Sequence, residues 1–288
     1  MGKQMTKVVV VAAVLLGLAA LPAFAQLELP RLSPKATVSQ TIGLTDVTVT
    51  YCRPGVRGRT IWGELVPYGE VWRTGANEAT TITFSSDVTV EGHAVAAGTY
   101  GLFTIPGKTE WTVILNKGAK QWGAYEYKQE EDLLRFAVKP QLAEFCERMT
   151  FSFPNTTMDS SEVALNWEKV RVAFTVKVDT VSRVLADARK AVPEAKPDDW
   201  RTPLRAATFC LDNSVNLEEA KGWVERSLAV KETMYGLAAK ARFLALGGDK
   251  VAAIALAKKA IETGKAADPN ADTTSVERLI AEWSAPKP

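Results

Sequence analysis

The sequence predicts an α+β, multi-domain chain: an antiparallel β-sandwich over residues 33–180, then an α-helical region over residues 181–288. Three observations predict it. Between Ala36 and Val178 apolar residues recur at every second position, after Val178 they recur at every third or fourth, and no helical pattern interrupts the first part. A chain of 288 residues has room for two such units.

The strands follow in order. Val47, Val49 and Tyr51 alternate with threonines, and Ile82 and Phe84 alternate with Thr81 and Thr83. Glu91-Gly92 parts Val88–Val90 from a second short run, as a hairpin tip does. Ala97-Gly98 and Pro106-Gly107 bracket Thr99–Ile105, and Trp111–Leu115, Leu133–Val138 and Met149–Phe153 come next. Val163, Leu165 and Trp167 share one face. Val170, Val172, Phe174, Val176 and Val178 share another, against Arg171, Thr175 and Lys177. About nine short half-buried strands without helices are the pattern of an antiparallel sandwich.

In the second part, Val181, Val184, Leu185 and Ala188 fall on one helical face, and Pro193 and Pro197 mark a linker. Asp198 or Asp199 can cap a helix carrying Trp200, Leu204, Ala207 and Leu211. Asn216 with Glu219 makes a capping-box pattern before Ala220, Val224 and Leu228. A longer helix runs to Leu246, where Gly247-Gly248 stops it. Asp249 caps the next, through Ile254, Leu256 and Ile261, and Thr274 with Glu277 starts a last one ending near Trp283.

The first 25 residues form an export signal. Lys3 and Lys7 precede an apolar run from Val8 to Leu21, and Ala23-Phe24-Ala25 places small residues where a signal peptidase reads. The run is shorter than the roughly 20 residues of a membrane span. Cleavage near Ala25 predicts a periplasmic or extracellular protein with no membrane span left after processing. The whole chain carries 35 basic and 33 acidic residues, which gives no broad basic surface and excludes a nucleic-acid partner by this criterion. One histidine and three cysteines argue against a histidine-based triad, a zinc site and a disulfide scaffold, so no metal and no cofactor is expected. Cys52, Cys146 and Cys210 read either as free buried thiols or as a Cys52–Cys146 bridge plus one free thiol.

Residues 51–80, YCRPGVRGRTIWGELVPYGEVWRTGANEAT, break the alternation after Cys52. A loop this long inside a compact domain is often functional. Arg53, Arg57, Arg59 and Arg73 offer planar forks for carboxylate or phosphate groups, and Trp62, Tyr68 and Trp72 offer flat faces for sugar rings. The same arginines can equally pair with Glu64, Glu70 and Glu78 and simply hold the loop.

This segment, continued by TITFSSDVTVEGHAVAAGTYGLFTIP, EWTVILNK and QWGAYEYKQEEDLLRFAVKP, resembles the bacterial domain-of-unknown-function family 2911 over roughly residues 33–180. The matching positions include Arg53, Pro54, Gly58, Arg59, Trp62, Gly63, Pro67, Tyr68, Gly69, Trp72, Arg73, Gly75, Asn77 and Glu78. The resemblance implies an exported β-rich domain and no particular reaction. Cys52 stands where serine would be expected from it, and is given no catalytic role. In the tail, YGLAAKARFLALGGDKVAAIALAKKAIETGKAADP (Tyr235–Pro269) is similar to a tetratricopeptide repeat, with Ala241, Ala253 and Ala260 at close helix contacts. The helical pair before it matches less well. This tetratricopeptide-like region serves either as a cap packed on the sandwich or as a groove for a peptide or protein partner.

Three functions fit these readings. The first is an exported small-ligand or carbohydrate-binding protein. Arg53, Arg59 and Arg73 would hold polar or anionic groups, Trp62 and Trp72 would stack, with Tyr68 beside them, and Asn77 and Glu78 would fix orientation. Trp122, Tyr125 and Tyr127 form a possible second wall or else cover a sheet edge. The second is a glycoside-type hydrolase using Glu70 and Glu78, which needs the two carboxylates about 5–10 Å apart. The third is a cell-envelope interaction scaffold working through the helical tail. Binding without turnover is the favoured reading.

Overall fold

The structure is a computed structural model, and it describes residues 29–285. The export-signal reading falls on residues outside that range. Ten strands form two antiparallel sheets. The larger sheet has the order β1 (Lys35–Ile42), β2 (Thr45–Cys52), β3 (Thr81–Phe84), β6 (Gly98–Ile105), β7 (Trp111–Asn116), β8 (Asp132–Val138). The smaller has the order β5 (His93–Val95), β4 (Val88–Val90), β10 (Ser160–Lys177), β9 (Gln141–Ser152).

The period-two pattern produces this sandwich. Val47, Val49, Tyr51, Ile82, Phe84, Trp111, Val113 and Leu115 line the inner face of the larger sheet. They pack against Met149, Phe151, Val163, Leu165, Trp167, Val172, Phe174 and Val176 of the smaller one in a single buried cluster. Each strand thereby turns its alternate residues outward. Glu91 and Gly92, both at positive φ (46° and 85°), make the tight turn between β4 and β5, with Val90 opposite His93.

Two strands expected between Val163 and Val178 are one. β10 runs unbroken for 18 residues, and its pairing with β9 shifts register on both sides of Glu168, which sits at φ 55°. A bulge absorbs the slip without ending the strand.

Six helices follow: α1 (Thr180–Glu194), α2 (Arg201–Asn213), α3 (Leu217–Val230), α4 (Met234–Leu246), α5 (Lys250–Ala267) and α6 (Thr274–Ser284). Pro193 lies inside α1 rather than in a linker, in the last turn where little helix remains to be broken. Asp199 accepts from the N–H groups of Arg201 and Thr202, and Asp249 from that of Ala252. The capping box at Asn216 does not form. Asn216 is left-handed (φ 48°), and its amide donates instead to the Glu219 carboxylate. Ala241, Ala253 and Ala260 have no exposed surface and let α4 and α5 approach closely.

The helices pack on one another, not across the sandwich. One cluster joins Ala188, Leu204, Ala207, Cys210, Trp223, Val224 and Phe243, and another joins Met234, Leu237, Ala257, Ala260 and Val276. The first turn of α1 holds the tail to the sheets: Thr180 Oγ1 donates to the Met158 carbonyl, and Arg183 Nη1 donates to Thr45 Oγ1 and Ser86 Oγ. The tail is thus a separately packed helical layer and not a lid over the sheets.

Candidate functional site

The long interruption after β2 takes three turns with different fates. Its first turn is tied to β9. Val56 N–H donates to the Glu147 carbonyl, and Met149 N–H donates to the Pro54 carbonyl. Arg53 extends this contact, with Nε on the Met149 carbonyl (2.9 Å) and Nη2 on Thr150 Oγ1 (2.8 Å). Arg59 turns back on its own loop, to the carbonyls of Val56 and Gly55. Arg57 reaches the Leu32 carbonyl. These guanidinium groups bind main-chain oxygen, so they act as loop clamps.

The tryptophans enter the core. Trp72 is 9% exposed and stacks on Trp167 with ring centres 5.8 Å apart, while Trp62 meets Trp72, Trp111 and Trp167 edge-on at 5.9, 4.9 and 5.6 Å. Such geometries suit aromatic quadrupoles and add to the area buried. The Trp72 indole donates to the Gly75 carbonyl. Trp72 therefore presents no open face to a ligand, and Trp62, half-buried, turns its ring edge-on into the same cluster and lies outside the cleft described below. Tyr68 lies across Gly63, where an added Cβ would meet its ring at 2.8 Å. Arg73 has a buried Nε without a hydrogen-bond partner and does not line the cleft described below.

The last turn reverses outward. Thr74 and Asn77 adopt left-handed backbone (φ 53° and 57°), and the chain passes from the buried Trp72 to the surface at Glu78. There it forms a short ladder with the segment after β7. Ala79 N–H donates to the Gln121 carbonyl and Gly123 N–H to the Asn77 carbonyl, with Glu78 opposite Trp122. These two segments cover the outer side of β6 and β7, where Val71, Ala124 and Tyr127 pack on Phe103 and Ile114. Gly101 allows the approach: a Cβ there would meet the Gly118 carbonyl at 3.2 Å and Ala119 Cα at 3.5 Å.

An open cleft of about 410 Å³ lies where this covering layer stops and the bare outer face of β1–β2–β3 begins. Its walls are Lys35, Thr50, Cys52, Glu78, Thr81 and the segment Ala119–Trp122. Trp122 is 54% exposed. Arg31 joins its two sides, since Nη1 lies 2.7 and 2.8 Å from the Glu78 carboxylate oxygens and the guanidinium carbon lies 5.9 Å from the centre of the Trp122 ring. Asn77 is not among the cleft walls, and its amide donates to the Ser33 carbonyl.

The charges follow from these contacts. The hydrogen bonds from Arg31 hold the Glu78 carboxyl down to about 2, so at neutral pH it is an ionised acceptor. Burial pushes the Cys52 thiol up, and its hydrogen bond to Glu78 Oε2 at 3.3 Å keeps it protonated. Cys52, Cys146 and Cys210 are free. Cys146 Sγ donates to the Arg148 carbonyl, while Cys52 Sγ donates to Glu78, so the two do not form a bridge.

Glu78 is the one carboxylate among the cleft walls. Glu70 is not among those walls, so the cleft itself holds no pair of carboxylates. Among the described residues no group of three or more His, Cys, Asp or Glu is arranged to hold a metal ion. No described helix is long and apolar enough to cross a membrane.

Of the expected second wall, Trp122 lines the cleft, Tyr125 stands free in solvent at 84% exposure, and Tyr127 tucks under the layer with its hydroxyl on Asp132. Arg31, Lys35, Lys120 and Gln121 join the site without having been singled out. No motif announces them, and only the ladder at Glu78–Trp122 brings them together.

Fold and cleft define an α+β protein with an antiparallel sandwich, an outer-face cleft and a six-helix tail. The chain belongs to the family described as protein of unknown function, DUF2911, which matches it over residues 33–176. No curated protein and no solved structure matches it.

Proposed function

We propose that this is an exported carbohydrate-binding protein whose site is the cleft between Trp122 and Glu78. The exposed indole beside an ionised, immobilised carboxylate supports this reading most. An aromatic face takes the apolar side of a sugar ring, and fixed acceptors and donors orient its hydroxyl groups. Glu78 supplies the acceptor, while Lys35, Lys120 and the Thr50 and Thr81 hydroxyls supply donors around it. Arg31 fixes Glu78 and Trp122 relative to each other before a ligand arrives, which lowers the ordering cost of binding. The arginines and the core-packed tryptophans of the 53–73 segment build the scaffold that brings Glu78 to its place.

Titration calorimetry with neutral gluco-, xylo- and manno-oligosaccharides tests the proposal. Binding that is lost in Trp122→Ala, with the unfolding temperature retained, is the expected result. Failure of every sugar to bind, or undiminished binding by Trp122→Ala, overturns it.

A further inference from the structure

The uncovered outer face of β1, β2 and β3, with the first residues of β6, carries hydroxyl groups in two rows in register. Thr37, Thr50 and Thr81 form one row, which ends at Gly101, and Ser39, Thr48, Thr83 and Thr99 form the other. Neighbours are paired across strands: Thr37 with Thr50 at 3.1 Å, Ser39 with Thr48 at 2.7 Å, and Thr83 with Thr99 at 2.9 Å. Thr50 and Thr81 also belong to the cleft wall. The first row therefore runs straight into the proposed sugar site.

Resting on that reading, we infer that the cleft is one end of a longer platform that takes an extended, uncharged glycan chain. Strands stand about 4.8 Å apart and alternate residues about 6.8 Å apart, so the second row is about 14 Å wide across its four strands. That is well beyond what a single ring in the cleft can touch.

Three features fit a neutral polymer of hydroxylated rings. Neither row contains a charged side chain, Lys35 bordering them at one end and Asp46 at the other. Threonine is stiff at χ1, and the cross-strand pairs fix these side chains further, so little rotamer freedom is lost on contact. Each hydroxyl has one donor and two acceptor sites, and the one or two bonds made across strands leave acceptor capacity for a ligand.

Calorimetry on the full chain compares each neutral sugar as disaccharide and as hexasaccharide. The hexasaccharide is expected to bind about tenfold tighter or more. Thr83→Lys places a long charged side chain on the platform outside the cleft, and Ser39→Lys does the same from the exposed edge strand, should the first variant fold poorly. Either one is expected to reduce hexasaccharide affinity to that of the disaccharide and leave the disaccharide unaffected. A hexasaccharide no tighter than the disaccharide overturns the platform while the cleft stands. So does hexasaccharide binding that both variants leave unchanged, or tighter, salt-sensitive binding of an oligouronate. If no sugar of either length binds, the cleft reading falls with it.

Discussion

Arg31 reaches across 47 residues of chain to Glu78, and one guanidinium nitrogen contacts both carboxylate oxygens. The same guanidinium lies over Trp122. A residue from the segment before β1 thus locks together the two loop segments that cover the larger sheet, and it sets the protonation state of the only acid in the cleft wall.

Acid should undo that lock. The folded pKa of Glu78, about 2, lies below its ordinary 4.5. The carboxylate therefore adds stability above the ordinary value and loses that contribution as pH falls toward the folded one. Glu78→Gln removes the effect. Between about pH 5 and pH 2, the unfolding temperature of the native protein is expected to fall more steeply than that of the variant. Equal slopes would show that the pair carries no linkage.

The tryptophans divide by burial. Trp72→Ala is expected to cost about 3–5 kcal/mol, because it opens a void among Trp62, Trp111 and Trp167. Trp122→Ala is expected to cost about 1 kcal/mol, since the ring is 54% exposed and gives up only partial burial and one cation–π contact. Denaturant titration gives both values, and the reverse ranking would contradict the placement of the cleft.

Arg53→Ala leaves the Met149 carbonyl and the Thr150 hydroxyl without their donor, at a cost of about 1–3 kcal/mol. Arg53→Lys recovers only part, lacking the planar fork. In calorimetry both variants keep sugar binding once folded. Selective loss of binding at full stability would instead make Arg53 a ligand residue.

Thiol reactivity separates the cysteines. Cys52 and Cys210 are buried, and burial pushes both thiols up. With Ellman's reagent on the native protein, Cys146 is expected to react first and the other two only on unfolding. Early reaction of Cys52, shown by its loss in Cys52→Ala, would mean that the cleft floor is open and the hydrogen bond to Glu78 broken.

Much of the sandwich is legible in the sequence, because alternation at Val47–Tyr51 or Thr81–Phe84 directly reports which side of a strand is buried. The bulge in β10 is not, since a strand that absorbs a register slip looks like two strands in sequence. Asn216 and Glu219 have the spacing of a capping box, but the left-handed turn at Asn216 points its side chain elsewhere. The 51–80 segment is correctly marked as unusual, yet side-chain type does not distinguish Trp72, which is buried, from Trp122, which is not. The hydroxyl rows are invisible for a different reason. Each threonine reads as the polar half of its own strand, and only the pairing of β1, β2, β3 and β6 sets them side by side.

The indole N–H signals of the isotope-labelled protein report which tryptophan meets the sugar, with the Trp122 signal assigned by its loss in Trp122→Phe. On titration with the tightest-binding neutral hexasaccharide, the Trp122 signal is expected to move while those of Trp72, Trp111 and Trp167 stay in place. A Trp122 signal that stays fixed at saturating sugar, or shifts confined to the buried cluster, would contradict a sugar site at Trp122.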